Sequence, residues 1–217
     1  MSIDLSAPGI AILIDNWEEN IPSLDQTYKN IVEFIHNNNI QTVVLATYEY
    51  NIFTHFNTDW MNRSHQIFYD AVFDKNKNAW RTAVLDHSSI SLRSPWATKN
   101  GNLLEDGRGR NTSDIILNMN YSGVKLFCHR AQEIVWYLDN HQPDVKNIWY
   151  FGQAWEMCVR DRALGYINLS TSLPHLSHLT KQDCVLKLNR THPGHEHMEQ
   201  WKQIHNDIYH LELNKNA

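Results

Sequence analysis

Short, nearly continuous apolar runs alternate with helix-period segments along this chain. GIAILID (9–15) is apolar at almost every position, which predicts a strand buried on both faces. SLDQTYKNIVEFIHNNN (23–39) then repeats Tyr28, Ile31 and Ile35 at helical spacing, with Ser23 as a candidate N-cap and Asn38-Asn39 as a stop. QTVVLATY (41–48) reads as a second buried strand. Strand, helix and strand in succession make a βαβ unit, whose crossover is right-handed in nearly all proteins.

Beyond residue 51 the pattern loosens. Residues 51–112 hold a predicted helix (HQIFYDAVFD), a predicted strand (RTAVLDH) and a polar stretch, SPWATKNGNLLEDGRGRNTSD, that reads as an exposed loop. Regular alternation returns with DIILN (114–118) as a strand and HRAQEIVWYLDNH (129–141) as an amphipathic helix. NIWYFG (147–152) reads as a strand, WEMCVRDRAL (155–164) as a helix and YINLST (166–171) as a strand. HEHMEQWKQIHNDIYHLEL reads as a final helix. The sum is one α/β domain over 1–217, with a mostly parallel sheet of about five or six strands and helices on both faces.

Composition narrows the classes. The 217 residues are 42% hydrophobic and 20% charged, ordinary for a globular chain with a single sizeable core. A formal charge of -5 argues against a general nucleic-acid binder, which needs a basic face for phosphates. The start, MSIDLSAPGIAILID, has neither the basic flank nor the long apolar run of a signal peptide, and no stretch has the length of a bilayer span. Cys128, Cys158 and Cys184 are too few and too scattered for a disulfide framework or a zinc site. A cytoplasmic protein without membrane or nucleic-acid partners is expected, with thiols reduced.

In open parallel sheets, ligands bind outside the carboxyl ends of the strands. Three polar features fall at predicted ends: Asp15 after GIAILI, Asn118 after DIIL, and the turn GQAWEMC after NIWYF. Cys158 lies just inside the predicted helix, where unpaired N–H groups and the positive helix end favour a thiolate. A carboxylate from a neighbouring strand is placed to take the thiol proton, the arrangement that nucleophilic catalysis requires. The bland alternatives are a buried inert thiol for Cys158, a loop cap for Asp15 and a turn residue for Asn118.

FGQAWEMCVRDRALGY resembles the cysteine motif of the isochorismatase-like hydrolases, the family of nicotinamidases, N-carbamoylsarcosine amidases and ureidoacrylate or biuret amidohydrolases. GIAILIDNW resembles their first strand, which ends in Asp, and DIILNMNYSG their lysine segment. The resemblance covers about 9–50 and 112–172. It implies Asp15 as general base, Cys158 as nucleophile, and the backbone N–H groups of Ala154 and Cys158 as oxyanion hole. It also implies a cis bond at Gln153–Ala154 and substrate contacts from Gln153, Tyr121 and Trp155. Self-association into a homo-oligomer is common among such relatives. The substrate would be a small amide or ureide, cleaved at C–N without a cofactor.

One departure stands out. Aligning Tyr121-Ser122 on the family pattern puts Asn118 where the catalytic lysine belongs, and Lys125 lies seven residues further on. Asparagine supplies no positive charge, so a catalytically impaired relative that binds a small molecule or a protein is the alternative reading. A lysine-free reaction on a non-amide bond is a weaker third.

The remaining chemistry-bearing residues favour plain readings. The nicotinamidase-type metal pattern is absent after the second strand, where TYEYNIFTHFNTDW leaves only His55, Asp59 and, later, His65. His192, His195 and His197 have neither cysteine partners nor an H-E-x-x-H pattern, so no metal is expected. DGRGR (106–110) lacks the strand-to-helix context of a phosphate loop. Trp136, Trp149, Trp155 and Trp201 are core or interface residues first and substrate platforms second.

Overall fold

GIAILI lies in the middle of one sheet. The structure, a computed structural model, describes residues 3–17, 21, 23–46, 80–82, 112–128, 131–153, 155–160, 162, 164–186 and 199–213. Its elements are β1 (Gly9–Ile14), α1 (Leu24–Asn37), β2 (Ile40–Ala46), β3 (Trp80–Thr82), α2 (Asp114–Leu117), β4 (Val124–Cys128), α3 (Ala131–His141) and β5 (Asn147–Gln153). A π-helical turn (Trp155–Val159), α4 (Tyr166–Ser172), β6 (Ser177–Lys181), β7 (Val185–Leu186), β8 (Glu199–His205) and β9 (Ile208–Leu213) follow. The protein is α/β. Its mixed, nine-stranded sheet runs β3-β4-β2-β1-β5-β6-β9-β8, with β7 paired beside β5. β9 is antiparallel to β6, and β8 to β9; the other pairs are parallel.

Side-chain alternation along β1 explains why its run is apolar throughout. Ile10, Ile12 and Ile14 enter one core cluster with Ile134, Tyr137 and Leu138 of α3. Ala11 and Leu13 enter the other with Tyr28, Ile31 and Ile35 of α1. All five β1 residues are fully buried. Each of the four isoleucine and leucine side chains contributes about 1.5–3 kcal/mol relative to exposure. Ser23 occupies the N-cap of α1, but its side chain makes no capping bond; its carbonyl accepts from Thr27 N–H instead.

Four expectations are corrected. Among the described residues the sheet has nine strands rather than five or six. DIIL is a one-turn helix, not a strand: the Ser113 side chain accepts from Ile115 N–H and starts the turn. YINLSTS is a helix as well, with Ser170, Thr171 and Ser172 donating to carbonyls three or four residues back. The expected final helix is the β8–β9 hairpin, turned at Asn206-Asp207, where Asn206 takes a positive φ of 43°. Of the helix expected over 155–164, the described residues form the π turn Trp155–Val159 with Arg160, and Arg162 and Leu164 lie in bend and turn. HQIFYDAVFD, most of RTAVLDH and SPWATKNGNLLEDGRGRN lie outside the described residues. Among the described residues no helix is long and apolar enough to cross a membrane.

β6 buries one histidine. His178 Nε2 lies 3.0 Å from the Leu173 carbonyl, and its Nδ1 lies 2.8 Å from the Tyr150 hydroxyl. A carbonyl only accepts, so Nε2 carries the proton and Nδ1 accepts from Tyr150. Burial pushes the His178 pKa from 6.5 down to about 4, with the Leu173 bond acting in the opposite sense. The unfolded chain therefore takes up a proton first as pH falls. Stability is full above about pH 6.5 and is lost progressively toward pH 4, by about 3 kcal/mol. Urea midpoints should fall between pH 7 and pH 5, and a His178→Gln variant, which cannot protonate, should show a shallower slope across that window.

Candidate active site

β1 and β5 lie side by side in parallel, with Ile14 opposite Gly152, so their carboxyl ends open at one place. Gly152 has φ 125°, and a Cβ there would stand 1.9 Å from the Ile14 carbonyl oxygen. Glycine is required at this position by both conformation and space. The two strand ends consequently approach closely. Asp15 follows β1 with φ 51°, a left-handed conformation that costs a non-glycine residue and is retained at functional sites. It is 6% exposed.

After β5 the chain enters the π turn, and half-buried Cys158 sits within it. Isolated π turns are frequent at functional sites. Four residues on, the Arg162 N–H donates to the Cys158 carbonyl at 3.1 Å. The Arg162 carbonyl then accepts from Gly165 N–H at 2.7 Å and from Asn168 Nδ2 at 2.8 Å. A Cβ on Gly165 would stand 2.5 Å from the Arg160 carbonyl oxygen, so the Gly-Tyr of the motif makes the tight return before α4.

These anchors bring one guanidinium into the site. Arg162 Nη2 lies 3.0 Å from Asp15 Oδ2 and 3.7 Å from Cys158 Sγ. Asp15, Cys158 and Arg162 thus form one cluster of acid, thiol and cation. Burial first, then the Asp15 charge and its carboxylate as acceptor, raise the Cys158 thiol against the lowering effect of Arg162, to about 12 in all. Cys158 is therefore a thiol at rest near neutral pH. Cys128 and Cys184 are fully buried, and burial raises both thiols as well.

The other expected site residues are placed as follows. Asn118 is exposed at the end of α2, where its backbone N–H bonds to the Asp114 carbonyl. Among the described residues no hydrogen bond joins it to Asp15, Cys158 or Arg162. Tyr121 donates to the Ile40 carbonyl at 2.5 Å, and Ile40 is at the amino end of β2, opposite Gly9 rather than Asp15. Lys125 is buried in β4, with Nζ 3.4 Å from the Met119 carbonyl, and burial lowers its pKa. Gln153 is buried and donates to the Tyr28 hydroxyl at 3.4 Å. Trp155 is a core residue, edge-on to Trp201 at 4.6 Å and tilted against Tyr166. Ala154 lies outside the described residues, and with it the Gln153–Ala154 bond and half of the expected oxyanion hole. His55, Asp59, His65, His192, His195, His197 and the DGRGR loop also lie outside them.

Arg162 is the residue that the sequence reading missed. Its signal was present: four residues after Cys158 is one helical turn, the spacing at which side chains meet. Among the described residues no group of three His, Cys, Asp or Glu is placed to hold a metal ion. A groove of about 760 Å³ lies at the other end of the sheet, beside the starts of β5 and β6. Its acids are engaged locally, Asp4 with Ser6 and Glu212 with His210, and none of the three clustered residues lines it. The Asp15, Cys158 and Arg162 cluster lies at the carboxyl ends of β1 and β5. No family model, curated protein or solved structure matches this chain.

Proposed function

We propose that the protein is an isochorismatase-like cysteine hydrolase that cleaves the C–N bond of a small amide or ureide. The observation that carries this reading is the position of Arg162 Nη2, 3.0 Å from Asp15 and 3.7 Å from Cys158. A thiol with a carboxylate and a fixed cation is the minimum set for a cysteine nucleophile with its own base. The parallel pairing of β4, β2, β1, β5 and β6 supports a three-layer architecture of that family.

The proposed cycle uses Asp15 as the proton store. Cys158 Sγ bonds to the substrate carbonyl carbon as its proton passes to Asp15, and the C=O π pair moves onto oxygen. The oxyanion is held by the N–H groups of Ala154 and Cys158, a contribution of about 3–4 kcal/mol for each such donor. Collapse breaks C–N, and the leaving amine takes the proton from Asp15. Water then attacks the thioester, gives a proton to Asp15, and the departing sulfur recovers it. Arg162 keeps Asp15 in place and offsets the charge that develops on sulfur, the role for which the family's lysine is expected.

In this reading Asn118 is not a failed catalytic position. Asn118→Lys should not raise activity, because the exposed site at the end of α2 is not where the cation stands. The test is ammonia release from a panel of small primary amides and ureides. Turnover should vanish in Cys158→Ala; equal release by wild type and that variant would end the proposal. A second reading, a relative that binds its ligand without cleaving it, draws on the raised Cys158 pKa. It predicts that the panel binds but releases no ammonia.

A further inference from the structure

Several asparagines described in this protein donate from the side chain to backbone carbonyls. Asn147 Nδ2 donates to the Asp4 and Ala7 carbonyls, Asn168 Nδ2 to that of Arg162, and Asn38 Nδ2 to that of Phe34. Asn16 differs. It is 1% exposed, and neither its Nδ2 nor its Oδ1 has a hydrogen-bond partner among the described residues. Its backbone is nonetheless held, because its carbonyl accepts from Ser113 N–H at 2.8 Å. The residues on either side are held too: Asp15 by Arg162, and Trp17 by its bridge to Thr112 and by the Tyr28 hydroxyl on its carbonyl.

A buried carboxamide with both ends unpaired is costly, and native proteins keep few such groups without a reason. This one is adjacent to the proposed base, at the strand end where ligands bind in such sheets. We infer that Asn16 is the specificity residue of the site, and that its side chain takes a substrate amide or ureide group through one donated and one accepted hydrogen bond. The inference rests on the hydrolase reading and adds the residue that selects the substrate. An amide or ureide offers C=O to Nδ2 and N–H to Oδ1. An ester has no N–H, and a carboxylate presents only acceptors, so each leaves Oδ1 unpaired. Sites built to bond a particular N–H or O–H reject analogues that lack it far better than apolar pockets reject a missing methylene.

The experiment compares wild type, Asn16→Leu and Asn16→Ala on small primary amides and their methyl esters. Leucine keeps the branched outline, though it is larger, and removes the unpaired polar atoms, so its Tm should rise by about 2–4 °C. With amides KM should rise at least tenfold in both variants while kcat changes little, and with esters KM should stay within about threefold. An amide-over-ester preference that survives in both variants overturns the inference, as does a Leu variant that melts lower with selectivity intact. Alanine needs no extra room, so it carries the selectivity test if the leucine variant does not fold. A parallel arm measures benzamide binding to Cys158→Ala protein by saturation-transfer NMR. Binding that is lost on adding Asn16→Leu supports the assignment even where no amide is cleaved, and then only the hydrolase reading falls. Binding that persists counts against Asn16 itself.

Discussion

Asp15→Asn is expected to reduce amide turnover by about 10²–10⁴-fold, the usual worth of a positioned general base, while making Cys158 more reactive toward iodoacetamide. The opposite signs are the point. Asp15 raises the thiol pKa in two ways, through its charge and as acceptor of the thiol proton, and the amide of asparagine does neither. The thiolate fraction at a fixed pH near 8 should therefore rise, tenfold for each unit by which the pKa falls. Alkylation rate, with the modified peptide mapped to Cys158, reads the first effect; ammonia release reads the second. A structural role for Asp15 alone would lower both together.

Arg162→Ala should act differently on the same pair of readouts. The guanidinium works to lower the thiol pKa, so its loss should slow alkylation of Cys158 below the wild-type rate. Turnover should fall by about 10²–10³-fold, as for removal of one group that stabilises transition-state charge. Stability should fall as well. Asp15 is held in a left-handed conformation with a carboxylate only 7% exposed, and the variant leaves that charge without its 3.0 Å partner. A charge-assisted bond of this kind contributes about 1.5–3 kcal/mol, a loss that a urea titration would read. Arg162→Lys restores the charge as a single point and cannot reproduce the planar fork. It should recover alkylation more fully than turnover.

The legible part of this fold was the part buried on both sides. GIAILI, QTVVLA and NIWYFG are apolar at successive positions because they lie between two layers of side chains, and that demand leaves a mark no surface strand has. α1 was legible because its buried residues recur at helical spacing. Two of the errors fell on short elements. DIIL is too brief for period to distinguish strand from helix, and Ser113 rather than its isoleucines decides the matter. YINLSTS carries residues of strand propensity, yet its hydroxyls close locally onto the preceding turn. The C-terminal hairpin was disguised by charged and polar residues on both strands, although Asn206-Asp207 is a two-residue turn signal.

The site was half legible for a related reason. Asp15 and Cys158 could be read because each follows a buried strand, and two neighbouring parallel strands bring their ends together whatever lies between in sequence. Arg162 could not be read from strand ends. It reaches the carboxylate through a π turn and a glycine return whose geometry is set by close contacts at Gly152 and Gly165. The cation was sought at Asn118, on a segment expected to be a strand. Once that segment is a helix, residues 118–121 lead toward Ile40 at the amino end of the sheet.

The central claim is that Cys158 forms and loses a covalent acyl bond. The direct measurement is intact-protein and peptide mass spectrometry during hydrolysis of p-nitrophenyl acetate, with acetate release followed in parallel. The account predicts a transient acetyl thioester on Cys158 that decays as acetate appears, and loss of that release in Cys158→Ala. Acetate release that is unchanged in Cys158→Ala, with no acetyl group found on Cys158 in the wild type, would contradict it.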